Sequence, residues 1–461
     1  MSAAARRPRK TGTTAAVPVP NCHAAGIDVG ATEIFVAVPE DSDPRIVRSF
    51  HTFTTDLIAL ADWLKQSGIQ TVALESTGVY WIPLFQILET RGFKVCLVNA
   101  RHLHNVPGRK TDVCDSQWLQ YLHACGLLHA SFRPSEQVCA VRSLLRHREN
   151  LVRHAASHVQ EMQKSLTQMN LQLHNVISDI TGKSGLAILD HILAGERDPE
   201  ELAAYCDIRI KATKETIVKS LVGDYRCEHL FTLRQALGAY RQYQQFIAEC
   251  DAEIEKLLSQ FDSRLDPPAP GEPLPKSTSD KKARGNCLKF QNADMNSEFY
   301  RLFGTDLTLV PAFGTLTICT LFGEIGPDLS AFQSEKDFTS WLGLCPGNKI
   351  TGGKVISSKT KHVTSRAARA FRMAAQSLWH SHSFLGDYHR RMCARLGKTE
   401  AVTATAHKLA RIFYHLVTTR EQYDESIFAR EQAKMQERKE RRLRREADRM
   451  GFNLVPRAEV T

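Results

Sequence analysis

The sequence lacks the marks of several large protein classes. Twelve cysteines are present, yet none forms a Cys-x-x-Cys pair, and the closest two, Cys114 and Cys125, stand eleven residues apart. That spacing argues against a zinc ribbon or a disulfide framework, so structural thiols are expected. The 18 histidines show no His-Glu-x-x-His or similar zinc spacing and are expected on the surface or in packing. Long apolar runs are missing too. The longest uncharged one, Leu307 to Gly323, spans 17 residues with Pro311, Gly314 and four threonines. A bilayer span needs ~20 apolar residues, so no membrane partner is expected. Arg6, Arg7, Arg9 and Lys10 precede no apolar h-region, which argues against a secretory signal and for a place inside the cell.

The chain has 461 residues, 43% of them hydrophobic and 24% charged, which excludes wholesale disorder. At ~150 residues per domain, about three folding units are expected. Lys and Arg number 60 against 50 Asp and Glu, a net charge of +10 that favours polyanionic partners.

Residues 1–22 read as a disordered basic arm. From Ala24, two short apolar segments flank Gly30-Ala31-Thr32 as a hairpin. Further strands are expected at Arg45 to Phe53, Thr71 to Leu74 and Lys94 to Val98, with a helix over Asp56 to Gln66. This α/β domain is expected over 23–135, with a mixed sheet. Over 136–262 two heptad seams appear. The first runs through Val138, Leu145, Val152, Val159 and Leu166, broken only by Arg148; the second runs through Leu233, Tyr240, Ile247, Ile254 and Phe261. They predict an antiparallel hairpin or an intermolecular coiled coil. A linker rich in Pro and Lys is expected over 263–298, a mostly helical block over 299–420 and a charged tail over 421–461, read as a solvated helix extension in preference to an RNA or DNA contact.

Four acids stand where chemistry could use them. Asp28 sits in the first strand between Ile27 and Val29, and Glu75 ends another strand. A carboxylate in an apolar strand is costly to bury unless it is paired or bound to metal. Asp112 and Asp115, at i and i+3, share one face if a helix begins there. Oxygen ligands of this kind suit Mg²⁺.

The segments Gly26-Ile27-Asp28-Val29-Gly30, Leu74-Glu75-Ser76-Thr77-Gly78-Val79-Tyr80-Trp81 and Gly108-Arg109-Lys110-Thr111-Asp112-Val113-Cys114-Asp115-Ser116 resemble the acidic blocks of the insertion-sequence 110 family of transposases. The resemblance covers roughly residues 23 to 420. It implies a RuvC-like (ribonuclease H-like) amino-terminal domain, a coiled-coil middle and a mostly helical carboxy-terminal transposase domain. It assigns Asp28, Glu75, Asp112 and Asp115 to an Asp-Glu-Asp-Asp metal site. Arg109 and Lys110, just before Asp112, are expected nucleic-acid contacts.

In the carboxy-terminal block, Leu309 to Gly314 and Leu321 to Gly326 have the spacing of a helix-hairpin-helix-like element, or of an ordinary helix pair with Gly caps. Downstream, Pro346 to Lys361 places hydroxyl residues beside glycines and lysines. Such a loop can expose an oxygen for attack on a phosphodiester, with Lys354, Lys359 and Lys361 neutralising charge. The resemblance implies a nucleophilic serine just before a glycine of this block, where this chain has Thr351. Threonine keeps the hydroxyl and adds a methyl that restricts χ1. Thr351 is the expected attacker, with Ser358 the second candidate beside Ser357. Arg366, Arg369 and Arg372, spaced i, i+3 and i+6, are expected phosphate contacts or a solvated face.

The expected activity is that of a DNA transposase or site-specific recombinase, cutting and rejoining DNA with Mg²⁺ and a hydroxyl nucleophile. Its partners would be element ends and target DNA, a structured noncoding guide RNA such as some members use, and further copies of the chain as a dimer or tetramer. Its place would be the bacterial cytoplasm, at the nucleoid. The rival readings are a metal-dependent junction-resolving nuclease and a non-catalytic nucleic-acid-binding descendant.

Overall fold

The computed structural model describes residues 20–76, 78–99, 112–267, 274–278, 286–361 and 363–452. Nearly all of the expected basic arm, part of the linker, and both Arg109 and Lys110 lie outside them. The chain divides into two units, Met1–Arg133 and Pro134–Thr461.

The first unit is built on a five-stranded sheet in the order β3-β2-β1-β4-β5. Its strands are β1 (Ala24–Val29), β2 (Glu33–Ala37), β3 (Val47–His51), β4 (Thr71–Glu75) and β5 (Lys94–Val98). β1 runs antiparallel to β2 and parallel to β4, which is parallel to β5, so the sheet is mixed as the pattern predicts. The helices are α1 (Thr54–Gln66), α2 (Trp81–Thr90) and α3 (Asp112–Ala124). Strand alternation sends Ile27 and Leu74 to one face, where they pack with Leu60 and Leu64 of α1 and Leu84 and Leu88 of α2. The opposite face carries small residues and receives α3.

The second unit begins with α4 (Glu136–Gln168), followed by α5 (Leu173–Val176), α6 (Lys183–Ala194), α7 (Pro199–Ala203), α8 (Lys214–Ser220) and α9 (Cys227–Ser259). The long helices α4 and α9 carry the two heptad seams and pair antiparallel within the chain. Cys250 Sγ donates to Leu144 O at one end, and Ser165 and Thr232 share a hydroxyl hydrogen bond at the other. The short helices between them close a core with Met162, Leu166, Leu233 and Leu237. Arg148, the break in the first seam, is buried and ion-paired with buried Asp251 of α9.

Then come α10 (Met295–Phe303), α11 (Thr315–Ile325), α12 (Glu335–Trp341), the β6–β7 hairpin (Lys349–Thr351, Lys354–Ser357), α13 (Arg366–Ser377), α14 (Phe384–Leu396), α15 (Lys398–Thr419) and α16 (Ala429–Arg449). Buried phenylalanines hold much of this block together. The Phe413 ring lies 5.7 Å from those of Phe303 and Phe371 and 6.0 Å from that of Phe338. Edge-to-face and offset pairs of this kind add to plain area burial.

Candidate functional site

In the first unit, the parallel register pairs Gly26 with Ala73 and Ile27 with Leu74. Asp28 and Glu75 each follow by one residue, so they stand side by side at the carboxyl ends of adjacent strands. Alternation puts both on the face of Gly26 and Ala73, opposite the large apolar core. Both are partly buried.

Helix α3 lies on that face at very short range. A Cβ on Gly26 would fall 2.2 Å from Gln120 N and 2.4 Å from Ser116 O, so only glycine lets the helix backbone approach there. Gln120 Nε2 donates to Ala24 O at 3.2 Å, and Leu119 packs on Ala73 and Val98. The helix therefore runs antiparallel to β1, and its first turn reaches the strand ends that carry Asp28 and Glu75. Position 112 precedes Ser116 by one turn, and Asp115 precedes Leu119 by one turn. Asp115 is exposed, and the side chain of Asp112 lies outside the described ones. Carboxylates in a first turn also complement the positive end of the helix dipole.

The donors available here are carboxylate oxygens, the hard ligands that divalent Mg²⁺ prefers. Among the described residues, no three His, Cys, Asp or Glu are close enough to hold a metal ion; Asp112 is not among the side chains so described.

In the second unit, Thr351 and Lys354 are Cα partners across the two-residue turn Gly352-Gly353. Both glycines have positive φ, +55° and +76°, as a type I′ hairpin turn requires. A Cβ on either glycine would meet nothing within 4 Å, so the tip stands in open space. Thr351, Lys354, Ser358, Lys359 and Lys361 are all exposed. The stretch read from sequence as a loop is thus a hairpin with Thr351 at its tip. Ser358 follows the end of β7, and Ser357 Oγ accepts from Lys359 N at 3.4 Å.

Of the three arginines on α13, Arg366 is ion-paired with Glu149 of α4. Arg366 and Arg369 border a cavity of roughly 420 Å³ that Leu316 and Met373 also line, and Arg372 is half-buried. The helix-hairpin-helix-like segment leads through Gly314 into α11, whose amino terminus has no side-chain cap. Its second glycine serves packing instead: a Cβ on Gly323 would meet Leu145 Cδ1 at 2.6 Å. Gly323 O accepts from Arg142 Nε at 2.8 Å. The cavity has no periodic sequence signal, because α4, α11 and α13 supply its walls together.

Two transposase family models match the chain. A family model described as Transposase, named for the DEDD acids and for IS110, matches residues 25–171. A second, described as Transposase IS116/IS110/IS902 family, matches residues 305–390. The protein is a transposase. It belongs to the IS110 family. No curated protein matches the chain. The fold of the first unit is compatible with a RuvC-like domain, and the DEDD domain suggests a divalent-metal-dependent, nuclease-like site. No described helix is long and apolar enough to cross a membrane.

Proposed function

We propose that the protein cuts and rejoins DNA with two centres that serve one reaction: a Mg²⁺ site held by Asp28, Glu75, Asp112 and Asp115, and the hydroxyl of Thr351. The observation that carries this reading is the placement of Thr351 beside Lys354 at an exposed hairpin tip. Directly opposed residues on one face of a hairpin have Cβ atoms about 4.5–5.5 Å apart. A phosphate reached by the Thr351 oxygen is therefore within reach of the Lys354 ammonium, which offsets charge as it builds in the transition state.

In the cutting step, Thr351 Oγ1 forms a bond to phosphorus, and the bond to one deoxyribose oxygen breaks. The hydroxyl proton leaves Thr351, and the departing sugar oxygen gains a proton. The product is a threonyl phosphodiester that conserves the bond for rejoining to an incoming DNA hydroxyl. When bound, Mg²⁺ supplies charge neutralisation at a phosphoryl oxygen. Lys359, Lys361, Arg369 and Arg372, with Arg109 and Lys110, hold the DNA backbone. Arg366 joins them by exchanging Glu149 for phosphate.

A structured guide RNA and assembly into a dimer or tetramer complete the proposed system, with the bacterial cytoplasm and nucleoid as its place. A plasmid excision assay tests the reading. Asp28→Ala and Thr351→Ala each abolish excision, and Thr351→Ser retains it. Loss with Asp28→Ala alone would indicate a nuclease that needs no protein nucleophile. Wild-type inactivity rescued by Thr351→Ser would contradict a working threonine.

A further inference from the structure

Helix α16 (Ala429–Arg449) has a charge arrangement that the excess of basic residues alone does not reveal. Arg438, Arg442, Arg445 and Arg449 are all exposed. Their spacing of i, i+4, i+7 and i+11, at 3.6 residues per turn, confines them to an arc of about 60°. The two arginines between them lie outside this arc, Arg441 by about 40° and Arg444 by about 100°, and are occupied. Arg441 bonds Glu437 at 2.8 Å and Arg444 bonds Glu440 at 2.6 Å. Glu437 and Glu440 thus lie away from the stripe, whereas exposed Glu446 borders it about 40° from Arg442; the arc itself is wholly basic.

The root of this helix is firmly held. The Phe428 ring stacks on Phe384 at 4.2 Å, nearly parallel, and Lys408 Nζ lies 4.7 Å and 4.9 Å from the two ring centres. Beyond the root, the principal contact of α16 is with the short turn Glu425–Phe428 just before it. The stripe is anchored at one end and its four arginines are exposed, while Ala447 on the opposite side of the helix is buried.

We infer that α16 is an arm whose Arg438, Arg442, Arg445 and Arg449 grip successive phosphates of one strand of duplex DNA from outside the grooves. From Arg438 to Arg449 is about 16 Å at 1.5 Å per residue. A DNA strand winds round the duplex as it rises ~3.4 Å of axis per phosphate, so a straight stripe of this length lies against about three successive phosphates before the strand turns away. Insertion into a groove is disfavoured, because phosphates would then meet Glu446 on one flank and Glu437 and Asp448 on the other. A one-sided grip on the backbone carries no sequence information, so the arm positions DNA without choosing it. The transposase reading enters only in the choice of DNA as partner.

The test uses the full chain and a 60-base-pair DNA duplex of arbitrary sequence, with anisotropy binding curves over a range of NaCl. Each phosphate neutralised contributes about −0.9 to the slope of log K against log salt. The variant R438Q/R442Q/R445Q/R449Q is expected to reduce the magnitude of that slope by about 2 to 3. The variant R441Q/R444Q removes paired charges and is expected to change it by less than about 1. Arg→Gln on an exposed helical face keeps good helix propensity, so both variants remain folded. An unchanged slope in the quadruple variant, or an equal fall in the control, overturns the proposal. So does an effect seen with an RNA duplex of the same length and not with DNA. A wild-type chain that fails to bind DNA removes the transposase reading as well; normal binding with an unaltered slope removes the arm alone.

Discussion

Arg148 of α4 and Asp251 of α9 form a buried ion pair across the antiparallel helix pair. The guanidinium also donates to the carbonyls of Asn286 at 2.7 Å and Cys287 at 3.0 Å, and Asp251 accepts from Lys289 N at 3.1 Å. One turn further along α9, Glu255 accepts from the backbone of Gln291, Asn292 and Ala293. The charged interruption of the seam thus fastens the segment that leads into α10. Removing one partner of such a pair strands the other charge, which typically costs 3–5 kcal/mol. Arg148→Ala and Asp251→Ala should each lower the denaturation midpoint accordingly in chemical unfolding. A double-mutant cycle should show strong coupling between them.

Gly26 sets how closely α3 can lie on β1. Because an added Cβ would meet backbone atoms of Gln120 and Ser116 rather than a flexible side chain, Gly26→Ala must push the helix away. Overpacking of this kind costs about 1–3 kcal/mol. The same shift moves the first turn of α3 off the strand ends that carry Asp28 and Glu75. Excision should therefore fall by more than the lost folded fraction explains, as measured beside thermal unfolding.

The Gly352-Gly353 turn gives a third test. Both φ values are positive, and left-handed backbone costs a non-glycine residue roughly 1–2 kcal/mol. Gly352→Val with Gly353→Val should distort the tip and lower excision about tenfold or more, with little change in the melting temperature of the whole chain. Gly352→Asn, which tolerates this conformation, should be much milder.

Burial lowers the pKa of His123, whose Nε2 lies 2.8 Å from Thr71 Oγ1, and nearby Lys94 adds to the effect. His389 and His407 are lowered for the same main reason, burial, with Arg390 and Arg411 respectively contributing. An imidazole kept neutral in the fold takes up protons more readily when unfolded. The unfolded chain therefore binds more protons as pH falls through the ordinary value of about 6.5. Stability is full above that value and declines below it, until the lowered folded-state values are passed. Urea midpoints measured across this window should fall with pH, and His123→Gln should flatten part of the decline.

Much of the fold is legible in the sequence because its signals are local. The hairpin around Gly30, the helix over Asp56 to Gln66 and the two seams follow from period and turn residues, and the structure shows all of them. What is not legible depends on long-range register. Nothing near Asp28 in sequence shows that β4 pairs beside β1 so that Glu75 becomes its neighbour. Arg148 looked like a flaw in a seam because its partner lies 103 residues away. The Gly352-Gly353 stretch, read from sequence as a loop, proves to be a hairpin only through the pairing of Lys349–Thr351 with Lys354–Ser357. The stripe on α16, by contrast, is present in the spacing of Arg438, Arg442, Arg445 and Arg449.

The covalent role of Thr351 can be read directly from a trapped protein–DNA adduct digested with trypsin. Cleavage after Lys349, Lys354 and Lys359 places Thr351 in the peptide Ile350 to Lys354 and Ser358 in the peptide Val355 to Lys359, so mass spectrometry separates the two hydroxyls. The expected result is a nucleotide mass on the first peptide, present in the wild type and absent with Asp28→Ala. A nucleotide mass on the second peptide, or none on any residue while DNA is still cut and rejoined, would contradict the account.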